Sequence, residues 1–363
     1  MPNEPAPRRL PGTRLARAAP IAFCFLAACQ DCRHPAPAPG GTGLANAGAS
    51  GQPAAADGTA SLLGGERGLD HVGIAVKDLE AATHTYHDVL GFNRPTEGKL
   101  PNGLRNVNYY FSDSTYLETL VYWDREKASW LADFTDKHSG ALFAVLSAFS
   151  VTGTTSYLSS RGIEVGKPFS GSIQTTGQDA MPAEQWQTFF LPQGQLPGDP
   201  LSLYFIAYQR GPRDEFLAKL EDPKARRMLY HKNTALGLRA VWFAVNDLDE
   251  ASLAYESIGL PRRRAFKDPA LDADGQVFGA GAGEIWLLAP TAYGGKLAGF
   301  LRERGGPGIV GVTLDAGSVV QAASVIGERT GAPLATYEGL LGTSIRVPPE
   351  LTHGVWLEFA QHR

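Results

Sequence analysis

His71 and Glu118 are the two residues whose surroundings ask for chemistry. His71 lies in Leu69-Asp70-His71-Val72-Gly73-Ile74-Ala75-Val76, a run that reads as a strand. Two-residue alternation puts Val72, Ile74 and Val76 on one face and His71, Gly73 and Ala75 on the other. Glu118 sits in a second apolar run, Tyr116-Leu117-Glu118. A carboxylate inside such a strand is costly without a partner, so it needs a metal ion, His71 or a polar substrate beside it. A histidine and a carboxylate, where they come together, suit two chemistries. They can ligate a divalent cation, or act without metal as a general base that removes a proton next to a carbonyl. A plain hydrogen bond between them is the third reading, and the residues alone leave all three open. Asn106, Asn108 and Tyr110 alternate along a further run, share one face of it and are candidates to line a ligand cavity.

The elements that must position these residues come from a repeat. A strand carrying His71 is followed by a helix with a start signal at Asp78 and a stop at Gly91. The stretch returns as Gly237-Leu-Arg-Ala-Val-Trp-Phe-Ala-Val-Asn-Asp-Leu248, and such self-similarity means duplicated architecture. Each unit reads as one strand, one helix and three strands. The first has strands at 69–76, 105–111 and 115–122 and a helix at 78–90. The second opens at 141–149, has a helix near 152–161 and ends with strand 201–208. The third is 237–289, and the fourth runs from Ile309 to Phe359. Short alternating strands with crossover helices outside make the class α+β.

This pattern resembles the vicinal oxygen chelate superfamily of glyoxalases, extradiol dioxygenases and fosfomycin- and bleomycin-resistance proteins. The resemblance covers residues 67–363. It implies four βαβββ units forming two domains, each a curled mixed sheet around a cavity, at 67–212 and 233–363, with a linker helix at 213–232. It also implies a divalent metal (Zn, Ni, Mn or Fe) held by the first and last strands of paired units, acting as a Lewis acid on neighbouring substrate oxygens. Carried over, the slots of the first unit are His71 and Glu118. The acid returns as Glu358 in Trp356-Leu357-Glu358, but Trp286-Leu287-Leu288 and Tyr204-Phe205-Ile206 have none. The first-strand slots of the other units fall near Phe143, Ala240 and Gly311, which bind no metal. An extradiol dioxygenase, which needs two histidines and a carboxylate in one cavity, is disfavoured. If unit one pairs with unit four, His71, Glu118 and Glu358 converge as three ligands, with His353 as a fourth. If it pairs with unit two, they do not. The run Asn106-Val-Asn-Tyr-Tyr-Phe-Ser-Asp-Ser-Thr-Tyr-Leu-Glu118 looks like the glyoxalase-like subgroup, as does the entry His231-Lys-Asn233, where a role in capping the linker helix and setting a turn is expected.

The N-terminal residues read as targeting, not fold. Arg8, Arg9, Arg14 and Arg17 precede an apolar run, 18–28, too short to span a bilayer. It ends in Leu26-Ala27-Ala28-Cys29, which resembles a bacterial lipobox with Cys29 as the lipidated thiol. Residues 29–66 are rich in Pro, Ala, Gly and Ser and are expected to be a disordered tether. The expected place is the cell envelope, at the periplasmic face of the outer membrane, with the lipid as the only membrane contact. Removing 1–28 moves the formal charge from −4 to −7. An acidic chain of this kind is a poor partner for nucleic acid. All three cysteines, Cys24, Cys29 and Cys32, precede the globular part, which excludes thiol chemistry and disulfides there. Gly279-Ala-Gly-Ala-Gly283 precedes a strand and fits a hairpin turn, not a phosphate loop. The expected ligand is a small oxygen-rich molecule. The expected activity is a metal-assisted lyase or isomerase, with a metal-free binding pocket or a structural envelope protein as alternatives.

Overall fold

The structure is a computed structural model that describes residues 58–64, 68–93, 96–173, 184–192, 196, 203–208 and 227–362. The targeting segment, Cys29 and most of the expected linker helix lie outside these residues. The first half contains α1 (Gly58–Leu63), β1 (Leu69–Ala75), α2 (Leu79–Thr83), β2 (Thr96–Lys99), β3 (Leu104–Tyr110), β4 (Tyr116–Tyr122) and α3 (Ser129–Lys137). It continues with β5 (Gly140–Ser147), α4 (Val151–Ser160), β6 (Phe169–Ile173), β7 (Glu184–Phe190) and β8 (Leu203–Tyr208). The second half contains β9 (Ala235–Ala244), α5 (Leu248–Ser257), β10 (Arg262–Asp268), β11 (Ala273–Ala280), β12 (Gly283–Pro290) and α6 (Lys296–Arg304). It ends with β13 (Gly308–Ala316), α7 (Val319–Thr330), β14 (Tyr337–Gly339), β15 (Gly342–Val347) and β16 (Trp356–Gln361).

Each half is one eight-stranded sheet. The first runs β2-β3-β4-β1-β5-β8-β7-β6, and the second repeats that order as β10-β11-β12-β9-β13-β16-β15-β14. Unit one therefore joins unit two through the antiparallel β1–β5 pair, and unit three joins unit four through β9–β13. The alternative pairing of unit one with unit four does not occur. Within each unit the first and last strands are parallel neighbours, so His71 stands opposite Tyr116 and Gly73 opposite Glu118.

Local signals built these elements as the sequence indicates. The Asp78 carboxylate accepts from the amides of Glu80 and Ala81 and starts α2, and Asp247 does the same for α5. Gly91 ends the first helix with a φ of 82°, the left-handed geometry that glycine takes without strain. Between these signals, however, the helix is not uniform. Residues His84–Val89 form a π-helical turn, closed by Leu90 N–H donating to Thr85 O at 2.8 Å. One difference concerns the tether. Its last part is helical, because Leu62 and Leu63 are buried and Thr154 Oγ1 donates to Leu62 O at 2.7 Å. Two large apolar side chains in an otherwise small-residue stretch are enough to fasten it.

The outer faces of both sheets share a core. Val72, Ile74, Tyr109 and Leu117 from the first half and Val312, Leu357 and Phe359 from the second belong to one buried cluster. Phe92 stacks on Phe359 at 6.1 Å, and Tyr86 donates to Thr352 O at 3.1 Å. His353, considered as a ligand, instead packs here against Tyr86 and Thr85. His231 is a stitch in the first half's margin. Its Nδ1 accepts from Asn93 N–H at 2.8 Å and its Nε2 donates to Tyr110 O at 3.0 Å. Asn233 donates to Leu90 O and accepts from Ala235 N–H, which sets the expected turn.

Burial pushes the His231 imidazole down to about 4. An unfolded histidine protonates near pH 6.5, so this group's contribution to stability is present above that value and lost as pH falls towards about 4. The melting temperature is expected to fall more steeply between pH 7 and 4 in the wild type than in His231→Gln, which keeps a donor and an acceptor but does not titrate. Parallel curves would refute the assignment.

Candidate functional site

A β-bulge builds the site in the first half. Leu69 pairs with Leu146 and His71 with Val145, so β1 carries one extra residue, Asp70, at that point. Strict alternation would send Asp70 to the face opposite His71. The bulge re-aims it, and its Oδ1 lies 2.6 Å from His71 Nδ1. An ionised carboxylate only accepts, so in this pairing Nδ1 is the donor, and the neutral ring then presents a lone pair at Nε2. Tyr208 of β8 donates to the same Asp70 oxygen at 3.0 Å. Tyr116 stacks under the imidazole, with centroids 4.2 Å apart and planes 14° apart, and Phe143 meets it edge-on. The ring is thus fixed on three sides.

Glu118 faces the free edge of that ring. Its Oε2 is 3.7 Å from His71 Nε2, too long for a hydrogen bond. Its Oε1 accepts from Asn106 Nδ2 at 2.5 Å. Burial pushes the Glu118 carboxyl above its usual value, against the opposing pull of His71 and Asn106. Asn108 stands directly across from Glu118 in the β3–β4 register and donates to the Tyr110 hydroxyl at 3.2 Å. His71, Glu118, Asn106, Asn108 and Tyr110, all singled out from sequence, therefore share one face of one sheet. Asp70 and Tyr208 were missed. The only signal for Asp70 was its position next to His71, and the period-two pattern argues against reading it that way.

Glu358 does not join them. It belongs to the second sheet, where Arg346 Nη2 lies 3.2 Å away, Thr313 Oγ1 donates at 3.1 Å and the Tyr337 hydroxyl donates to the other oxygen. Arg346 also makes a two-pronged bond to Asp268 at 3.2 and 2.9 Å, and its guanidinium lies 4.8 Å over the Trp242 ring. Trp286 stacks on Trp242 at 5.4 Å. Stacked tryptophan rings lie against this ion cluster, in which one guanidinium serves two carboxylates.

The expected three-ligand set of His71, Glu118 and Glu358 is thus corrected, because the unit pairing puts Glu358 in the other sheet. The register also refines the apolar slots. Val145, rather than Phe143, stands opposite Tyr204 as His71 stands opposite Tyr116. Trp286 stands opposite Trp242, the place that Glu118 holds in unit one. Among the described residues no three His, Cys, Asp or Glu side chains gather to hold a metal ion. A protein zinc site takes three or four protein donors, and His71 with Glu118 supplies two.

A family model described as a glyoxalase-like domain matches residues 69–259. The chain belongs to this glyoxalase-like family. No curated protein matches the chain. Among solved structures it is similar to a variant of 4-hydroxymandelate synthase from Streptomyces coelicolor, with 15% identity and a TM-score of 0.59 over 82% of this chain and 94% of that one. It is also similar to a hypothetical protein from Staphylococcus aureus, with 12% identity and a TM-score of 0.56 over 81% and 98%. Methylmalonyl-CoA epimerase from Mycobacterium tuberculosis aligns at 22% identity over 36% of this chain and 90% of its own, with a TM-score of 0.33. The two structures with TM-scores of 0.59 and 0.56 share this fold of two curled sheets.

Arg346 is the one cation in direct contact with Glu358 and Asp268 among the described residues. Its removal leaves two buried carboxylates without a counter-charge. Arg346→Ala is expected to lose about 3–5 kcal/mol of stability in denaturant unfolding. A loss under about 1 kcal/mol, the range of an exposed pair, would show that the cluster is solvated.

Proposed function

We propose that the first sheet carries an acid–base site that moves a proton on a small oxygen-rich molecule, a lyase or isomerase chemistry. The observation that supports this most is the Asp70–His71 pair aimed at Glu118 across 3.7 Å. Asp70 holds the imidazole in the tautomer whose Nε2 is a base. Glu118, pushed up by burial, is suited to hold a proton and return it. A substrate C–H next to a carbonyl gives its proton to Nε2, and the electron pair moves into the carbonyl. The Glu118 carboxylate takes the proton of the neighbouring hydroxyl and passes it to the former carbonyl oxygen. Return of the proton from the imidazolium to the adjacent carbon completes an isomerisation, with both residues back in their starting states. Tyr116 keeps the ring in plane throughout.

A divalent metal remains a second reading, because metal-bound histidines typically donate their other N–H to a carboxylate, as His71 does to Asp70. When bound it would polarise a substrate oxygen, and this chain would hold it through His71 and Glu118 with a third donor from outside the protein set. Hydrogen–deuterium exchange at the α-carbon of a hydroxyketone separates the readings. His71→Ala and Glu118→Gln are each expected to lower exchange by about 10²–10⁴-fold, and EDTA is expected to leave the wild type active. Loss with EDTA and recovery with Zn²⁺, Ni²⁺, Mn²⁺ or Fe²⁺ would transfer the proposal to the metal reading. Unchanged exchange in both variants would sink it.

The envelope setting is part of the same proposal and rests on Leu26-Ala27-Ala28-Cys29. No helix among the described residues is long and apolar enough to cross a membrane. In this reading a lipid on Cys29 is the anchor. Cys29→Ala is expected to move the protein out of the detergent-extracted membrane fraction. Retention there would argue for another attachment.

A further inference from the structure

The hydrogen-bonding capacity of the first site is lopsided. Four donors around the imidazole already serve partners. Asn106 Nδ2 serves Glu118, Asn108 Nδ2 serves the Tyr110 hydroxyl, and His71 Nδ1 and the Tyr208 hydroxyl serve Asp70. Acceptors stand open beside them. Among the described residues Glu118 Oε2 is met only by Nε2 at 3.7 Å, and Nε2 is a lone pair in the neutral tautomer that donates through Nδ1. Asn106 is 4% exposed, and its Oδ1 is buried without a hydrogen-bond partner among the described residues. A buried acceptor left in this way costs free energy in the empty protein and is relieved by a ligand that donates. An amide flip does not remove the problem, since it would turn Oδ1 against the Glu118 carboxylate.

Charge points the same way. Asp70 and Glu118 flank one imidazole, and among the described residues their only ion-pair partner is His71. A carboxylate or phosphate placed there would meet two carboxylates in a desolvated setting, where like charges repel strongly. The remaining walls are rings. Tyr116 lies under the imidazole, and Phe143 packs at 5.3 Å from Tyr204. Apolar walls with a few aimed polar atoms suit a ligand that has C–H faces and hydroxyl edges.

We infer that the first-half site takes an uncharged hydroxyl-bearing ligand, a polyol or hydroxyketone, and discriminates against its anionic counterparts. Its hydroxyls donate to Asn106 Oδ1 and Glu118 Oε2, and its carbon skeleton lies on the rings. This deepens the acid–base reading of the same site, but binding is measured without turnover, so the two fail separately.

The test is calorimetric titration, with melting curves, of dihydroxyacetone against glycerate and dihydroxyacetone phosphate, which share its three-carbon skeleton. Dihydroxyacetone is expected to bind saturably and at least 10-fold more tightly than either anion. In Glu118→Gln, which removes the charge and keeps the shape, that preference is expected to shrink at least 10-fold. In Asn106→Leu, dihydroxyacetone binding is expected to weaken with no gain for the anions. The melting curves report that each variant is folded, and either variant alone carries the test. Tighter binding of glycerate or dihydroxyacetone phosphate overturns the inference, as does an undiminished preference in a folded Glu118→Gln, or no saturable binding of dihydroxyacetone. If dihydroxyacetone binds as expected but its α-proton does not exchange, the acid–base reading fails and the ligand class stands.

Discussion

A carboxylate inside an apolar sheet must find a partner, and the two halves of this protein meet that demand in opposite ways. Glu358 is neutralised from within. A guanidinium, a phenol and a threonine hydroxyl all bond it, and three tryptophans close around them. Glu118 has only an amide on one oxygen and an imidazole edge out of hydrogen-bonding range. The first arrangement is complete in itself. The second is left open, and openness of that kind at a buried charge is what a ligand or a reaction uses. The halves differ in this: the acid of the second sheet is satisfied within the protein, and the acid of the first is satisfied on one oxygen.

The β1–β5 pairing makes the open arrangement possible. It puts His71 in the middle of an eight-stranded sheet, beside Val145, where both neighbouring strands are fixed by ladders. The bulge at Asp70 then costs one ladder pair and gains a second carboxylate on the face that carries His71 and Glu118. The shared core holds the frame still. Tyr86, Phe92 and Phe359 lock the outer faces of the two sheets together, so the second half stabilises the first without contributing a side chain to its site. A site built on central strands of a rigid sheet keeps its geometry better than one built on loops.

The glyoxalase-like family membership and the fold agree with the repeat, while the ligand pattern departs from the superfamily's usual metal set. The departure is local and physical. Apolar residues occupy three of the four first-strand slots, Val145, Ala240 and Gly311, and an arginine lies against the acid of the fourth unit. Arg346 was visible in the sequence, as a charge inside the strand run Ser344-Ile345-Arg346-Val347. Its partner was not, because Asp268 lies far away in sequence at the end of an edge strand.

The sequence by itself determined the repeat, the four units, the helix start at Asp78, and the strand faces on which His71 and the pair Asn106 and Asn108 lie. These are local properties: period-two alternation, side chains that bond their own helix amides, and glycines where the backbone turns left. Tertiary structure alone decided the rest. It decided which units pair, and so that Glu358 stands in another sheet from His71. It decided that Asp70 turns to His71, because a bulge is set by the register between two strands and not by either strand's own pattern. It also decided that two leucines at the end of a small-residue tether find a hydrophobic seat. Each of these depends on what lies across space from a residue, and a one-dimensional pattern carries no term for that.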